Sequence, residues 1–145
     1  MNQCHYNNYH NQIDEGPNPL VTNLRCNTMQ NNNFRTAIWT GANLQLTLMT
    51  INQNSEIGLE RHPNLDQFLY VESGSGLAMM GKCKCDLDYQ CKVTSGSAIF
   101  IPANTWHNLI NTGCRPLKLF SIYAPPQHPH GTVHRTKRDS DRNEY

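Results

Sequence analysis

The sequence predicts an all-β protein, an antiparallel sandwich or barrel, and three observations lead to this class. From Phe34 onward the chain consists of short segments in which apolar and polar residues alternate with a period of two. Gly, Asn and Pro separate these segments, as is typical of turns between strands. No segment between them shows the helical periodicity that the connections of a parallel sheet need. We therefore expect about nine antiparallel strands.

The predicted strands begin with FRTAIWT and NLQLTLMTI, and the second of these alternates leucines with Gln45, Thr47 and Met49, whose face the pattern leaves undecided. The remaining predicted strands are EIGLE, QFLYV, GLAMM, YQCKVT, SAIFI, HNLIN and LKLFSIY. In QFLYV the alternation predicts that Leu69 and Val71 face the interior. The neighbouring aromatic residues of that strand are then expected to point away from it.

Outside these strands the composition predicts two tails. Residues 1–30 are rich in Asn, and we expect a flexible, partly disordered N-terminal tail in which PLVTNL forms a short edge strand and NTMQNNN a helical turn or a loop. Residues 31–125 are the predicted barrel. Residues 126–145, with the break APPQHPHG and the charged end TKRDSDRNEY, are predicted to lie outside the core. The tail histidines, His128, His130 and His134, are expected to be solvated or to belong to a docking segment.

Length and charge restrict the function classes. A chain of 145 residues fits one domain with one core, and so one site. The net charge of +1 gives no field that would attract nucleic acid or an anionic membrane. No apolar run approaches the roughly 20 residues that span a bilayer, and the N-terminus lacks the apolar segment of a signal peptide. We expect a cytoplasmic protein that binds neither nucleic acid nor membranes.

Six cysteines stand in the chain, at Cys4, Cys26, Cys83, Cys85, Cys91 and Cys114. Three of them crowd the segment GKCKCDLDYQC, whose spacing lacks the paired Cys-x2-Cys of common zinc modules. In a reducing cytosol, free thiols are the first expectation, and cross-linking or an accessory metal are the alternatives. The sequence leaves the choice open.

A polar cluster in GLERHPNLDQFLYVESGSG is the candidate site. Glu60 and His62 are two residues apart on an extended segment, so their side chains leave the same face. Gln67 begins the next strand across a turn, and His107 follows an apolar strand and a Pro-containing turn. We expect these four groups to converge inside the barrel, because packing alone does not account for them.

Two motifs in the chain resemble those of the cupin superfamily. The second cupin motif, Gly, five residues, Pro-x-Gly-x2-His-x3-Asn, is similar to the run from Gly96 through Pro102 and His107 to Asn111, with Asn104 in place of the middle glycine. Asn can adopt the positive φ that this glycine provides. The first motif, Gly, five residues, His-x-His, three or four residues, Glu, six residues, Gly, is matched less completely. There, His62 stands for the second histidine, Gln67 for the glutamate, Gly74 for the closing glycine, and Glu60 replaces the first histidine.

The resemblance implies a double-stranded β-helix, or jelly-roll barrel, that pairs into a homodimer. The flanking segments also resemble small single-domain microbial cupins described as mannose-6-phosphate-isomerase-like. Cupins usually hold a divalent metal with three imidazoles and one carboxylate; this chain offers Glu60, His62 and His107, with the Gln67 amide oxygen as a weaker fourth ligand. Two His and one carboxylate suit Fe, Mn, Ni, Co or Zn. The alternative is a polar core without metal.

Three functions remain open at this stage. The first is a metal-dependent oxidoreductase or isomerase that acts on a small molecule, with dioxygen chemistry favoured over phosphosugar isomerisation, because the motifs contain no Arg or Lys that would hold a phosphate. The second is a binding module without turnover. The third is a cysteine-cross-linked protein of a bacterial spore surface, suggested by the thiols and the Asn-rich N-terminus. The catalytic residues and the substrate are not predicted.

Overall fold

A computed structural model describes residues 12–143 and confirms the all-β class. The strands are β1 (Arg35–Thr40), β2 (Gln45–Ile51), β3 (Asp66–Ser73), β4 (Ser75–Gly81), β5 (Tyr89–Thr94), β6 (Ala98–Ile101), β7 (Trp106–Asn111), β8 (Leu117–Ala124) and β9 (Val133–His134), and the helices are α1 (Leu24–Gln30) and α2 (Lys137–Arg142). Six strands form one sheet in the order β6-β3-β8-β2-β1-β9, and three form a second in the order β5-β4-β7. Every pairing is antiparallel, and the architecture is the expected jelly roll.

The inner face of the large sheet is apolar at one end and polar at the other. Partners across an antiparallel pair share a face, so the register fixes the rows of side chains. The rows on this face are Met49–Leu119–Val71, then Thr47–Ser121–Leu69, then Gln45–Tyr123–Gln67. The first row belongs to the main core, whereas the last consists of polar groups with relative exposures of 0 to 3%. The site therefore lies at the polar end.

The outer face of the large sheet is covered by α1. Leu24 packs with Leu48 and Phe120 in a second apolar cluster on this side of the sheet. The helix begins at the N-cap Asn23, whose side chain accepts a hydrogen bond from the N–H of Cys26. The helical alternative for NTMQNNN is thus confirmed. The edge strand predicted for PLVTNL is wrong, because residues 19–23 are irregular and lead into the helix that begins at Leu24.

The C-terminal segment was wrongly predicted to lie outside the core. Thr132 and His134 are buried, and β9 extends the large sheet by pairing with β1. Only His130 of the three tail histidines is solvated as expected; its ring is 55% exposed and lies 3.3 Å from Asp14. The segment is held in place because its backbone bonds to buried side chains of the sheet.

The predicted strand EIGLE is reduced to two isolated bridges. Glu56 pairs with Ile110 and Glu60 pairs with His107, so the segment lies beside β7 without forming a continuous strand. Gly58 between them has φ 107°, a left-handed conformation that interrupts regular pairing.

The turns that carry the two motifs have the backbone that the sequence predicted. Gly74 and Gly96 have φ values of 101° and 91°. Asn104, in place of the middle glycine, has φ 65°, as predicted for Asn at this position. Asn54, six residues before Glu60, has φ 61° and stands where the first motif has its opening glycine. The side chain of Asn111 ties the end of β7 to the carbonyls of Ile51 and Arg115.

The cysteines of GKCKCDLDYQC do not form a metal clip. Cys83 and Cys85 form a disulfide, so the expectation of free thiols is wrong for this pair. Cys91 and Cys114 are free and exposed. Cys4 lies outside the described residues, as do His5 and His10. Within residues 12–143, no helix is long and apolar enough to cross a membrane.

Candidate metal centre

Three of the four predicted ligands meet at the polar end of the barrel. The Oε1 atom of Glu60 lies 3.5 Å from Nε2 of His62 and 3.5 Å from Nε2 of His107. All three candidate ligand atoms lie within 4.8 Å of one another. Elsewhere in the described chain, no other group of three or more His, Cys, Asp or Glu residues is placed to hold a metal ion. This cluster could therefore hold one.

Main-chain contacts hold the ligands in place. The pairing of Glu60 with His107 aims both side chains into the barrel. His62 follows two residues later on the same face, and its carbonyl accepts a hydrogen bond of 2.8 Å from the N–H of Asn104. The turn with the positive φ at Asn104 thus joins the two motifs directly. The site is preorganised by backbone rather than by flexible side chains.

Among residues 12–143, the candidate ligand atoms have no hydrogen-bond partner. Oε1 of Glu60, Nε2 of His62, Nε2 of His107 and Oε1 of Gln67 are all enclosed and unpaired. Unpaired buried polar groups are few in folded proteins, because each costs about 1–3 kcal/mol. Four of them within one site fit the donor set of a divalent transition metal. A hydrogen-bonded polar core is the alternative to metal binding, but the 3.5 Å between Glu60 and each imidazole is longer than an ordinary hydrogen bond.

His107 is fixed in the tautomer that a metal ligand requires. Its Nδ1 lies 2.8 Å from the carbonyl oxygen of Thr105, an acceptor, so Nδ1 carries the proton and donates it. The lone pair of Nε2 is then free and faces Glu60. A backbone carbonyl behind a ligating imidazole is a common arrangement in metalloproteins.

The carboxylate of Glu60 is kept ionised. Burial by itself would raise its pKa, but the imidazoles of His107 and His62 beside it lower the pKa well below the ordinary value. About 30% of the Glu60 side-chain surface is exposed, although its Oε1 is enclosed. A negative charge therefore persists at neutral pH at the point where a cation would bind.

Gln67 is the fourth predicted group, and it lies on the inner face at the start of β3. It is 3% exposed, and its Nε2 donates a hydrogen bond of 2.9 Å to Oγ of Ser121. Because Ser121 engages the amide nitrogen, the amide oxygen remains unpaired. Gln67 pairs across the sheet with Tyr123, whose ring meets the His62 ring edge-on at 5.8 Å. Gln67 therefore stands beside the three-residue cluster.

Tyr123 and His128 form a buried pair next to the cluster that the sequence did not identify as functional. Tyr123 is fully buried, and its hydroxyl lies 3.3 Å from Nε2 of His128. Burial raises the pKa of Tyr123. Burial, followed by the nearby Arg35 charge, lowers the pKa of His128 to about 3. At pH 7 the tyrosine hydroxyl is therefore protonated and the imidazole of His128 is neutral.

The side chain of Gln45 holds the C-terminal segment beside the site. Its Oε1 accepts hydrogen bonds from the backbone N–H groups of Gln127 and His128, and its Nε2 donates to the carbonyl of His128. Its Nε2 also donates to Oγ1 of Thr40, so both ends of this buried amide are occupied and three of its four bonds hold the C-terminal segment. Gln45 is thus a wall residue of the barrel, but it is not available to a ligand.

Two residues beside the candidate ligands contact each other at the surface. The guanidinium of Arg61 lies 5.1 Å from the centre of the Trp106 ring, a cation–π contact between the neighbours of His62 and His107. Arg61 is exposed and Trp106 half-buried.

A cavity of about 890 Å³ opens between β4, β5 and β6. Its apolar wall includes Ala78, Met80 and Ile99. Met80 pairs with His107 across the small sheet, so the cavity lies next to the candidate site. Its size is that of small-molecule pockets, but its lining also includes charged residues such as Lys82, Asp86 and Lys92, and none of the four predicted ligands.

A family model described as the cupin domain matches residues 47–123, more than half of the chain. The chain belongs to the cupin family. This cupin is 58% identical over 127 residues to the uncharacterized protein YrkC of Bacillus subtilis (strain 168), a match that covers 88% of this chain and 68% of the relative. It is 40% identical over 114 residues to an uncharacterized protein of Acanthamoeba polyphaga mimivirus, with 78% and 69% covered.

Solved structures support the same assignment. A crystal structure of a protein from Bacillus halodurans is 57% identical, with a TM-score of 0.89 over 90% of this cupin and 98% of that chain. KdgF from a Halomonas species shares the fold at 15% identity, with a TM-score of 0.57 over 64% and 78% of the two chains. A predicted oxalate decarboxylase from Thermotoga maritima shares the fold at 18% identity, with a TM-score of 0.52 over 59% of this cupin and 69% of that chain.

Proposed function

We propose that this cupin binds one divalent metal ion through Glu60, His62 and His107, with the amide oxygen of Gln67 as a fourth ligand, and that it acts on a small molecule. The observation that carries the proposal is the set of four buried, unpaired ligand atoms at one end of the barrel. Two imidazoles and one carboxylate leave coordination positions open, an arrangement that suits Fe, Mn, Ni, Co or Zn.

A metal in this site supplies Lewis-acid polarisation of a substrate carbonyl or hydroxyl, or activation of dioxygen. The protein's own groups orient and protonate. The carbonyl of Thr105 accepts from Nδ1 of His107, which leaves the Nε2 lone pair of His107 free. The hydroxyl of Ser121 accepts from the amide nitrogen of Gln67, which leaves the amide oxygen of Gln67 free. The hydroxyl of Tyr123, held by His128, keeps a proton beside His62, where a general acid would be needed.

An oxidoreductase is favoured over a sugar isomerase, and the reason lies in Glu60. An isomerase needs a base that moves a proton between two carbon atoms of the substrate. A glutamate that ligates a metal is poorly suited to this role, and the neutral amide of Gln67 cannot perform it. KdgF and the predicted oxalate decarboxylase share the fold with this cupin, but their low identity leaves the substrate open.

The test is the metal content of the protein purified without an affinity tag or chelator. We expect about one equivalent of a divalent transition metal per chain, and its loss when His62 and His107 are both replaced by Ala. The matched control is His130→Ala, which removes an exposed histidine outside the cluster. Circular dichroism establishes that the double variant remains folded, and a His62→Gln/His107→Gln pair serves if it does not. Full metal retention in a folded double variant contradicts the assignment.

A binding module without turnover is the competing function. The cavity beside the site supports a binding module as well as it supports an enzyme. Single-turnover incubation of the metal-loaded protein with candidate small molecules, followed by mass spectrometry, separates the two. A product that depends on the metal establishes an enzyme. Saturable binding without a product establishes a binding module.

The exposed thiols Cys91 and Cys114 favour a further candidate, a cross-linked structural protein. This function predicts disulfide-linked oligomers without reductant, and their loss in a Cys91→Ser/Cys114→Ser variant. A monodisperse protein under oxidising conditions contradicts it.

A further inference from the structure

A buried positive charge lies inside the barrel, and no carboxylate of residues 12–143 forms an ion pair with it. Arg35, the first residue of β1, is 2% exposed, and its partner across the sheet is the core residue Met49. None of the ion pairs within residues 12–143 includes Arg35. Burying an uncompensated charge costs several kcal/mol, so a buried guanidinium normally faces a carboxylate or another anion.

Within residues 12–143 the contacts of Arg35 are with neutral groups, and one of them is the hydroxyl of Tyr123. Its Nη1 lies 3.0 Å from Nδ1 of His134 and donates a hydrogen bond of 2.7 Å to Oγ of Ser140. Its guanidinium lies 5.2 Å from the centre of the Phe34 ring. The Nε atom is enclosed and has no hydrogen-bond partner. These contacts attach the C-terminal segment to β1, but they leave one donor and the whole charge unused.

The interior contains more unpaired buried polar atoms than one metal ion can coordinate. After Glu60, His62, His107 and Gln67 are assigned to the metal, Nε of Arg35 and Oγ1 of Thr47 remain without partners. Thr47 lies opposite the small residue Ala37, two positions along β1 from Arg35 on the same face. A donor with a positive charge and a hydroxyl thus border the interior next to the site.

Tyr123 links this second group to the metal site. It lies on the inner face of β8, one row from Ser121, which pairs with Thr47. Its ring contacts His62 on one side and His128 on the other. The His128 ring lies 6.2 Å from the ring of His134, the partner of Arg35. Arg35 and the metal ligands therefore border the same polar interior.

The charges of the interior call for an anionic ligand. A divalent metal with the single carboxylate of Glu60 leaves a net charge of about +1, and Arg35 adds a second positive charge. We propose that Arg35, Thr47 and Tyr123 form a subsite for a carboxylate group of the small molecule whose other end reaches the metal site. The carboxylate neutralises the guanidinium and accepts from its Nε and from the two hydroxyls.

The chemical class is a small carboxylate, and not a phosphate. The interior offers one guanidinium with one unpaired donor, whereas a phosphate carries more charge and more oxygens than these groups can satisfy. The inference rests on the proposed function for the metal end of the molecule and for one of the two positive charges. The subsite itself is built from residues that do not ligate the metal.

Calorimetry with malonate tests the proposal, using the full chain both with and without metal. Malonamide is the uncharged match of malonate, and inorganic phosphate is the competing anion. We expect malonate to bind and malonamide not to bind, and Arg35→Met to weaken malonate binding by about tenfold or more. Tyr123→Phe, which keeps the ring against His62, should weaken it by a smaller factor.

Ser140→Ala is the matched control, because it removes the contact of Arg35 with α2 and leaves the charge in place. It should leave malonate affinity within about twofold of the wild type, as expected for the loss of a contact outside the subsite. If Arg35→Met does not fold, Tyr123→Phe and the malonate–malonamide comparison decide. Equal binding of malonate and malonamide, tighter binding of phosphate, or unchanged affinity in folded Arg35→Met overturns the proposal.

Metal content, measured on the same samples, separates the two hypotheses. One equivalent of metal without malonate binding leaves the proposed function standing and removes the carboxylate subsite. Malonate binding that depends on Arg35 in a protein that takes up no metal supports the subsite and contradicts the metal centre.

Discussion

Glu60 and His107 form an isolated antiparallel bridge in which each backbone N–H donates to the other's carbonyl at 3.0 Å. Residues paired in this way project their side chains from the same face, so the pairing itself brings the carboxylate oxygen to 3.5 Å from Nε2 of the imidazole. The ligand geometry thus depends on main-chain hydrogen bonds between two segments that are 47 residues apart in sequence, as the residue numbers 60 and 107 give.

Glu60→Gln should weaken metal binding by about tenfold or more, because it removes the only carboxylate of the cluster while preserving its shape. Competition with a chromophoric chelator measures the dissociation constant. Glu56→Gln, on the same segment but outside the cluster, is the control and should leave the constant unchanged. An unchanged constant in Glu60→Gln would show that this carboxylate is not a ligand.

Gln67→Glu should have opposite effects on metal affinity and on the stability of the metal-free protein. A second carboxylate strengthens metal binding, but without metal it buries a negative charge beside Glu60, which we expect to lower the free energy of unfolding by about 1–3 kcal/mol at pH 7. Urea unfolding with and without chelator measures both. Gln67→Met provides the comparison that lacks any oxygen ligand, and equal metal affinity in the Glu and Met variants would exclude position 67 from the site.

His128 should make the protein less stable as the pH falls. Burial lowers its pKa from 6.5 to about 3, so between these values the folded protein binds fewer protons than the unfolded chain. The free energy of unfolding of the metal-free protein should therefore decrease on acidification below about pH 6.5, by up to about 1.4 kcal/mol per pH unit. His128→Gln should flatten this dependence between pH 6.5 and 5, as followed by urea unfolding, and an unchanged slope would contradict the assignment.

Asn104→Ala should destabilise the fold by about 1 kcal/mol, because the residue has φ 65° and a side chain with a Cβ is strained there. Asn104→Gly should leave stability within a few tenths of a kcal/mol of the wild type, since Gly adopts this conformation freely. Asn104 is exposed, so lost packing contributes little. Thermal unfolding of the pair measures the difference, and equal stability of the Ala and Gly variants would show that the backbone conformation is not the cause.

The sequence by itself determined the jelly roll and the three residues of the candidate metal centre. The period-two alternation placed Leu69 and Val71 inside the barrel, as the structure confirms, because side chains on a strand alternate strictly between faces. The motif spacing likewise indicated that His62 and His107 lie close together. Each histidine stands at a fixed number of residues from a turn residue with positive φ.

Only the tertiary structure decided the rest of the interior. The sequence could not choose the face of Gln45 and Thr47, because both faces of β2 are covered, one by the core and the other by the cluster that includes Leu24. Nor could it show that the segment after Tyr123 returns to the barrel, since Gln45 holds it through backbone groups that any sequence would offer. The sequence could not identify Arg35 as a site residue either. Its charge is unpaired because the fold surrounds it with neutral neighbours, which the sequence does not reveal.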